Sequence, residues 1–186
     1  IATRDVTRVK LLLDQGADPN GIGADGCISL HLAFIYDEPT GEIVRMLLEH
    51  KAEMNAFNDK GMTPLMYAAS NNYPEMTALL IESGADVNIR NSWGMTALHY
   101  AAENGGGAEA IQVLLDNGAD ARLRNARGEM AFHIAERGCR YDRARLLEEA
   151  LFRQHAESQH RDSREKQQIL KGKVKKPAII RGTQPC

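Results

Sequence analysis

Three histidines are the first residues in this chain whose type and spacing could do chemistry. His31, His99 and His133 stand 68 and 34 residues apart. An imidazole can ligate a metal or carry a proton near neutral pH. No cysteine or carboxylate pair accompanies these rings at metal-ligand spacing, however, and Met66 fills the matching position between His31 and His99. The pattern favours a structural use. Cys27, Cys139 and Cys186 lie far apart, without a catalytic His/Asn context. A sparse, odd set of thiols fits a reducing compartment better than a disulfide framework. Gly105-Gly106-Gly107 precedes a helical pattern, and helix starts can hold anions, but no Walker-type Lys-Ser/Thr follows, so it reads as a turn. No serine sits in a nucleophile elbow. The sequence predicts no enzyme, no cofactor and no metal.

The elements that must position these residues are short helices in pairs. Thr96-Ala97-Leu98-His99-Tyr100-Ala101-Ala102 predicts a thin helix; a glycine turn, a longer helix striped by Ile111, Leu114 and Leu115, and a stop at Gly118 follow. Neither helix could bury its apolar side alone. The pentapeptides beginning at Gly16, Lys51, Gly84 and Gly118 start 35, 33 and 34 residues apart, a period that signals a helical solenoid. Thr63 predicts a hydroxyl cap and Pro64 a first helical position. Thr40 predicts a cap for the helix from Glu42, and Lys51 stands where a stop glycine is expected.

Thr63-Pro64-Leu65-Met66-Tyr67-Ala68-Ala69 and Thr96-Ala97-Leu98-His99-Tyr100-Ala101-Ala102 resemble the Thr-Pro-Leu-His-x-Ala-Ala core of ankyrin repeats. Val9-Lys10-Leu11-Leu12-Leu13-Asp14-Gln15-Gly16-Ala17-Asp18 resembles their second helix and exit loop. The expected fold is therefore all-α, an ankyrin-repeat solenoid of about four and a half units. It comprises a partial repeat at residues 1–22, repeats at 23–57, 58–90 and 91–124, and a degenerate capping repeat at 125–151, where Met130 replaces the Thr cap. Residues 152–186 form a polar helical extension and a basic tail, with order expected to end near Lys171. The resemblance implies that the repeat histidine bonds neighbouring backbone. It also places Asn20, Asn55 and Asn88 at a loop asparagine that is hydroxylated in some animal members; a turn-stabilising role is the simpler expectation.

Charge is divided along the chain. The net is −2, but residues 1–151 hold 14 Lys/Arg against 22 Asp/Glu, whereas residues 152–186 hold 9 against 3. The aromatic content of 5% means the core must be built from Leu, Ala, Val and Ile. No apolar run approaches the ~20 residues of a membrane span. The basic tail lacks interleaved aromatics to stack bases, which argues against nucleic acid.

The resemblance implies a concave surface built from loop tips and first helices, used for protein–protein interaction by an adaptor or targeting scaffold without a small-molecule substrate. Carried onto this sequence, the partner-facing residues are Tyr36, Phe57, Asp59, Lys60, Met62, Arg90, Ser92, Trp93, Met95, Asn104, Arg124, Arg127 and Glu129, with Asp25, Cys27 and Asn71 at equivalent places. Trp and Arg are over-represented among residues that dominate interfaces. Arg90, Arg124 and Arg127 beside Trp93 predict a locally basic patch and an acidic partner segment. Cytoplasmic residence is expected, with nuclear or host-cell delivery left open. The alternative is a substrate-recruiting region of a larger enzyme or secreted bacterial effector.

Overall fold

The computed structural model describes residues 5–35, 40–104 and 107–173, with side chains up to residue 166. Nine helices follow in chain order within those residues: α1 (Val6–Asp14), α2 (Ser29–Ile35), α3 (Gly41–Glu49), α4 (Pro64–Ser70), α5 (Pro74–Glu82), α6 (Ala97–Glu103), α7 (Glu109–Asp116), α8 (Ala131–Arg137) and α9 (Tyr141–Lys173). A single 3-10 turn occupies Ala24–Gly26, and no strand occurs among the described residues. The chain divides into two units, Ile1–Leu151 and Phe152–Cys186.

In the first unit α2, α4, α6 and α8 stack in that order, and α1, α3, α5 and α7 form a second row. A seven-residue helix cannot persist alone in water, so each depends on its neighbours. Ala33, Ala68, Ala69, Ala101, Ala102 and Ala135 are buried on the first row, where their small side chains let successive helices approach. Larger side chains fill the space between the rows: Leu30, Phe34, Leu65, Leu80, Leu98, Ile111, Leu114 and Leu147 are buried completely. Each such leucine contributes about 1.5–3 kcal/mol.

The helix ends follow the sequence. Thr63 Oγ1 accepts from the Met66 N–H at 3.2 Å, with Pro64 in the first turn. Thr40 precedes α3, which begins at Gly41, but its side chain makes no capping bond. Gly84 and Gly118 take positive φ after their helices, and so does Lys51, at φ 64°. The Lys51 N–H donates to Leu48 O at 3.0 Å and the Ala52 N–H to Leu47 O at 2.9 Å. This is the same paired closure that Gly84 and Gly118 make, and it forces a lysine into a conformation that favours glycine.

The histidines and asparagines join one repeat to the next. His31 Nδ1 accepts from the Ile28 N–H at 3.3 Å, while its Nε2–H faces Met62 O at 3.0 Å and Ala56 O at 3.1 Å. His99 accepts from the Thr96 N–H at 3.2 Å and donates to Glu129 O at 3.2 Å. These partners assign a neutral ring protonated on Nε2, and burial pushes both imidazoles below their ordinary pKa. At the matching place Met66 Sδ takes the Thr63 N–H at 3.5 Å. Asn20 donates to Lys51 O at 3.0 Å and accepts from the Glu53 N–H at 2.8 Å; Asn88 does the same with Gly118 O at 3.0 Å and the Asp120 N–H at 2.8 Å. Asn55 accepts from the Asp86 N–H at 3.0 Å. These asparagines therefore fasten the following repeat's loop rather than only their own turn. Arg122 ends the series by pairing with Asp120 at 2.9 Å.

The last repeat is held differently. Arg143 on α9 is buried, and its guanidinium donates to Ala101 O at 3.3 Å and to Asn104 O, at the C-terminal end of α6. A cation there also offsets the negative end of the helix dipole. Helix α9 itself is longer than the few extra turns expected. It runs 33 residues, because residues 152–171 contain no Gly or Pro and are rich in Glu, Gln, Arg and Lys. The described helix ends at Lys173. Residues 174–186, including Cys186, lie outside the described residues.

Candidate functional site

Three of the tips are four-residue turns built on one asparagine each, while Gly23 stands at that place in the 23–57 repeat. Asn58, Asn91 and Asn125 donate their backbone N–H to Met62, Met95 and Glu129 O at 3.1, 3.1 and 2.9 Å. Their side-chain oxygens accept from Lys60 N and Met62 N, from Trp93 N and Met95 N, and from Arg127 N and Glu129 N, all within 2.9–3.1 Å. Asn58 and Asn91 reach inward with the other end of the amide to Tyr67 and Tyr100 Oη, at 3.0 and 2.9 Å. Each tip is thereby rigid, and the Gly at its fourth place (Gly61, Gly94, Gly128) adopts positive φ. Adjacent tips are bonded to each other: Asp59 N–H to Asp25 O at 3.0 Å, and Ala126 N–H to Trp93 O at 2.8 Å.

Trp93 occupies the third tip position and is 53% exposed. One edge of its ring lies against the preceding tip, where a methyl group on Gly61 would stand 3.3 Å from Cζ3. A side chain there would press on the indole and would also have to adopt the left-handed backbone of Gly61, at φ 63°. The ring also bounds a groove of about 300 Å³ lined by Met95, Tyr100, Glu103, Asn125, Ala126, Arg127, Glu129, Ile134 and Arg137. That groove lies between the last two repeats, with walls from two tips and from α6 and α8. Burial pushes the Tyr100 phenol above its ordinary pKa, although the Asn91 amide opposes the shift. The Asn125 amide, and then the Arg137 guanidinium, hold the Glu129 carboxyl below the usual range. The Arg127 guanidinium and the Trp93 Nε1–H make no hydrogen bond among the described residues.

The sequence-predicted surface residues separate into groups. Trp93, Met95, Arg127 and Glu129 meet in the groove. Phe57, Asp59, Lys60, Arg90, Ser92 and Arg124 are exposed along the tips. Lys60 pairs with Asp25 at 3.9 Å. Arg90 and Arg124 are exposed but anchored, Arg90 to Arg124 O at 2.7 Å and Arg124 to Gly128 O at 2.7 Å. Asn104 is exposed at the end of α6 and donates to Ser70 Oγ at 3.2 Å, while Asn71 donates to Phe34 O at 3.0 Å. Met62 departs from the expectation: it is only 8% exposed, because the chain returning from the tip turns that side chain into the core while its carbonyl meets His31. Cys27, at the equivalent place, is buried for the same reason and accepts from Asn58 Nδ2 at 3.4 Å. Tyr36 lies outside the described residues.

Six groove residues were not among those predicted: Tyr100, Glu103, Asn125, Ala126, Ile134 and Arg137. The recurring Tyr67 and Tyr100 of the first-helix motif carried a signal for the first of them. Ile22, 80% exposed, was also missed, though it stands where Phe57 stands in the next repeat. Among the described residues no group of three or more His, Cys, Asp or Glu could hold a metal ion, and no helix is long and apolar enough to cross a membrane.

Comparison with known families agrees with this architecture. Residues 1–91 match the family model for ankyrin repeats in three copies, and residues 80–135 match that for ankyrin repeats in many copies. Such repeats are typically non-catalytic and generally serve protein–protein interaction. No curated protein matches the chain. With stacked helix pairs, histidine and asparagine links between successive units, and family matches spanning residues 1–135, this chain belongs to the ankyrin repeat family.

Proposed function

We propose that this chain is a protein-recognition module that binds a segment of a partner protein across its tips and first helices, with the Trp93 groove as the main anchor site. The single observation that carries the reading is the placement of Trp93. A large indole remains half exposed, braced against Gly61, at the mouth of a groove whose tips are fixed by asparagine side chains. A rigid aromatic wall loses little conformational freedom on binding. Rings of this kind, together with arginine, supply the side chains whose truncation costs about 2 kcal/mol or more in interfaces. A groove of about 300 Å³ accommodates one or two side chains, the scale of a peptide anchor. The exposed guanidiniums of Arg90, Arg124 and Arg127 favour an acidic partner segment.

Site-specific photo-crosslinking in a native lysate tests the reading. A crosslinker at position 93 is expected to capture a discrete protein, whereas one at exposed Leu11 on α1 does not. Trp93→Ala/Arg127→Glu should abolish binding of that protein to the chain while leaving it folded, with only a modest fall in melting temperature from the half-buried indole. Retained binding by the double variant, or equal capture at both positions, would refute the assignment.

A further inference from the structure

We infer that the bound segment is extended and polarised along its length, with apolar side chains over the tips of the 23–57 and 58–90 repeats and carboxylates over the two tips that follow. This deepens the recognition reading above and rests on it. Matching repeat positions lie side by side, as the bond from Arg90 Nη2 to Arg124 O demonstrates. The residue preceding each tip therefore forms a row, and that row reads Ile22, Phe57, Arg90, Arg124.

The row changes character halfway. Ile22 and Phe57 are exposed apolar side chains, 80% and 45% accessible. Exposed large apolar residues at consecutive equivalent sites form a patch that water solvates poorly. Arg90 and Arg124 are exposed cations already held in place, Arg90 by Gly94 O at 3.4 Å and Arg124 O, and Arg124 by Gly128 O. Each retains further N–H groups, and a guanidinium fixed in advance is suited to the planar fork of a carboxylate.

The tips repeat the division. Asp25, Asp59 and Lys60 occupy the first two, with Asp25 paired to Lys60. Ser92, Trp93, Ala126 and Arg127 occupy the next two, where no carboxylate stands at a tip. Glu129, behind the tip, is engaged by Asn125 and Arg137. The guanidiniums of Arg90, Arg124, Arg127 and Arg137 outnumber the groove carboxylates of Glu103 and Glu129, which leaves a net positive charge for the ligand.

Spacing sets the length. Packed helices lie about 8–10 Å apart, and an extended chain advances about 3.3 Å per residue. Successive tips would then meet ligand residues about three apart, and four tips would be spanned by a segment of about ten.

The test pans a phage-displayed library of random peptides about twelve residues long on the full chain, then measures the enriched peptides against Trp93→Ala, Arg127→Glu and Ile22→Ser/Phe57→Ser. Enriched peptides are expected to carry an apolar pair and an acidic pair at opposite ends. Ile22→Ser/Phe57→Ser and Arg127→Glu should each raise Kd at least about tenfold, and Arg127→Glu should also weaken the dependence on salt. Arg127 and Ile22 are exposed, whereas Trp93 and Phe57 are half buried, so each variant's circular dichroism spectrum is compared with the parent's and a modest fall in melting temperature is expected for Trp93→Ala and for Ile22→Ser/Phe57→Ser. Peptides that need Trp93 but are neutral or basic, or that ignore Ile22, Phe57 and Arg127, would overturn the polarity while leaving recognition at the groove intact. Peptides indifferent to every variant, or no enrichment at all, would overturn both. Displacement of bound peptide by single-stranded oligothymidylate, lost in Arg127→Glu, would make the surface a nucleic-acid site and overturn the inference.

Discussion

Replacing Asn88 with Ala removes two hydrogen bonds that cross between repeats, to Gly118 O at 3.0 Å and from the Asp120 N–H at 2.8 Å. A net hydrogen bond contributes about 0.5–1.5 kcal/mol, and Asn88 is half buried, so water replaces part of the loss; about 2 kcal/mol is expected. For a repeat unit of this size that corresponds to a fall of roughly 4–8 °C in melting temperature. Asn117→Ala serves as the comparison, since that amide bonds within its own helix, to Val113 O at 2.8 Å, at an exposed site. Its effect should stay below about 0.5 kcal/mol. Urea titration followed by circular dichroism gives both values. Hydrogen exchange adds a local reading, because the Asp120 amide should lose protection in Asn88→Ala while amides inside α4 keep theirs. If Asn88→Ala is no more costly than Asn117→Ala and the Asp120 amide exchanges as before, these asparagines do not couple one repeat to the next.

Three further outcomes follow from the packing. Lys51→Gly should stabilise the fold by about 0.5–1 kcal/mol and so raise the urea midpoint, because relief of a left-handed lysine is partly offset by a more flexible unfolded chain; a lower midpoint would refute the strain. Arg143→Met should cost about 2–3 kcal/mol by leaving Ala101 O and Asn104 O without their charged donor, and calorimetry should show the 125–151 repeat melting early; an unchanged single transition would refute this. Acidification should weaken the fold through His31 and His99. Their folded pKa values lie below 6.5, so the unfolded chain binds the extra protons; stability is full above about pH 6.5 and falls as pH drops toward the lower folded values. A urea midpoint that is flat or rising between about pH 7 and pH 5, above the range in which carboxylates dominate, would contradict that sign.

The helix pairs were legible because their signals are local. Thr63-Pro64 starts a helix, Gly84 and Gly118 stop one, and the apolar stripes between them fix which side is buried. Contacts that cross repeats were harder to read. Nothing in the residue string says that Asn20 or Asn88 reaches into the following loop, since the partner is a backbone group of whatever residue stands there. Met62 was misplaced because tip neighbours alternate direction on the return from the turn, and a methionine there suits either side. Arg143 gave no signal: a cation in a polar helix reads as solvent-facing until the exposed carbonyls at the end of α6 are seen above it. The groove was half visible, through Trp93 and Arg127 at the tips, while Ile134 and Arg137 read as the ordinary face of a capping helix.

Each tip asparagine grips the third tip residue by its main-chain nitrogen alone. Lys60, Trp93 and Arg127 are held identically although a cation, an indole and another cation follow from the same Cα. What the tip displays is therefore independent of how the tip is built. Specificity in such a chain can drift, or be rewritten, one letter at a time: exchanging the displayed side chains alters which partner is addressed while the scaffold that presents them keeps its shape.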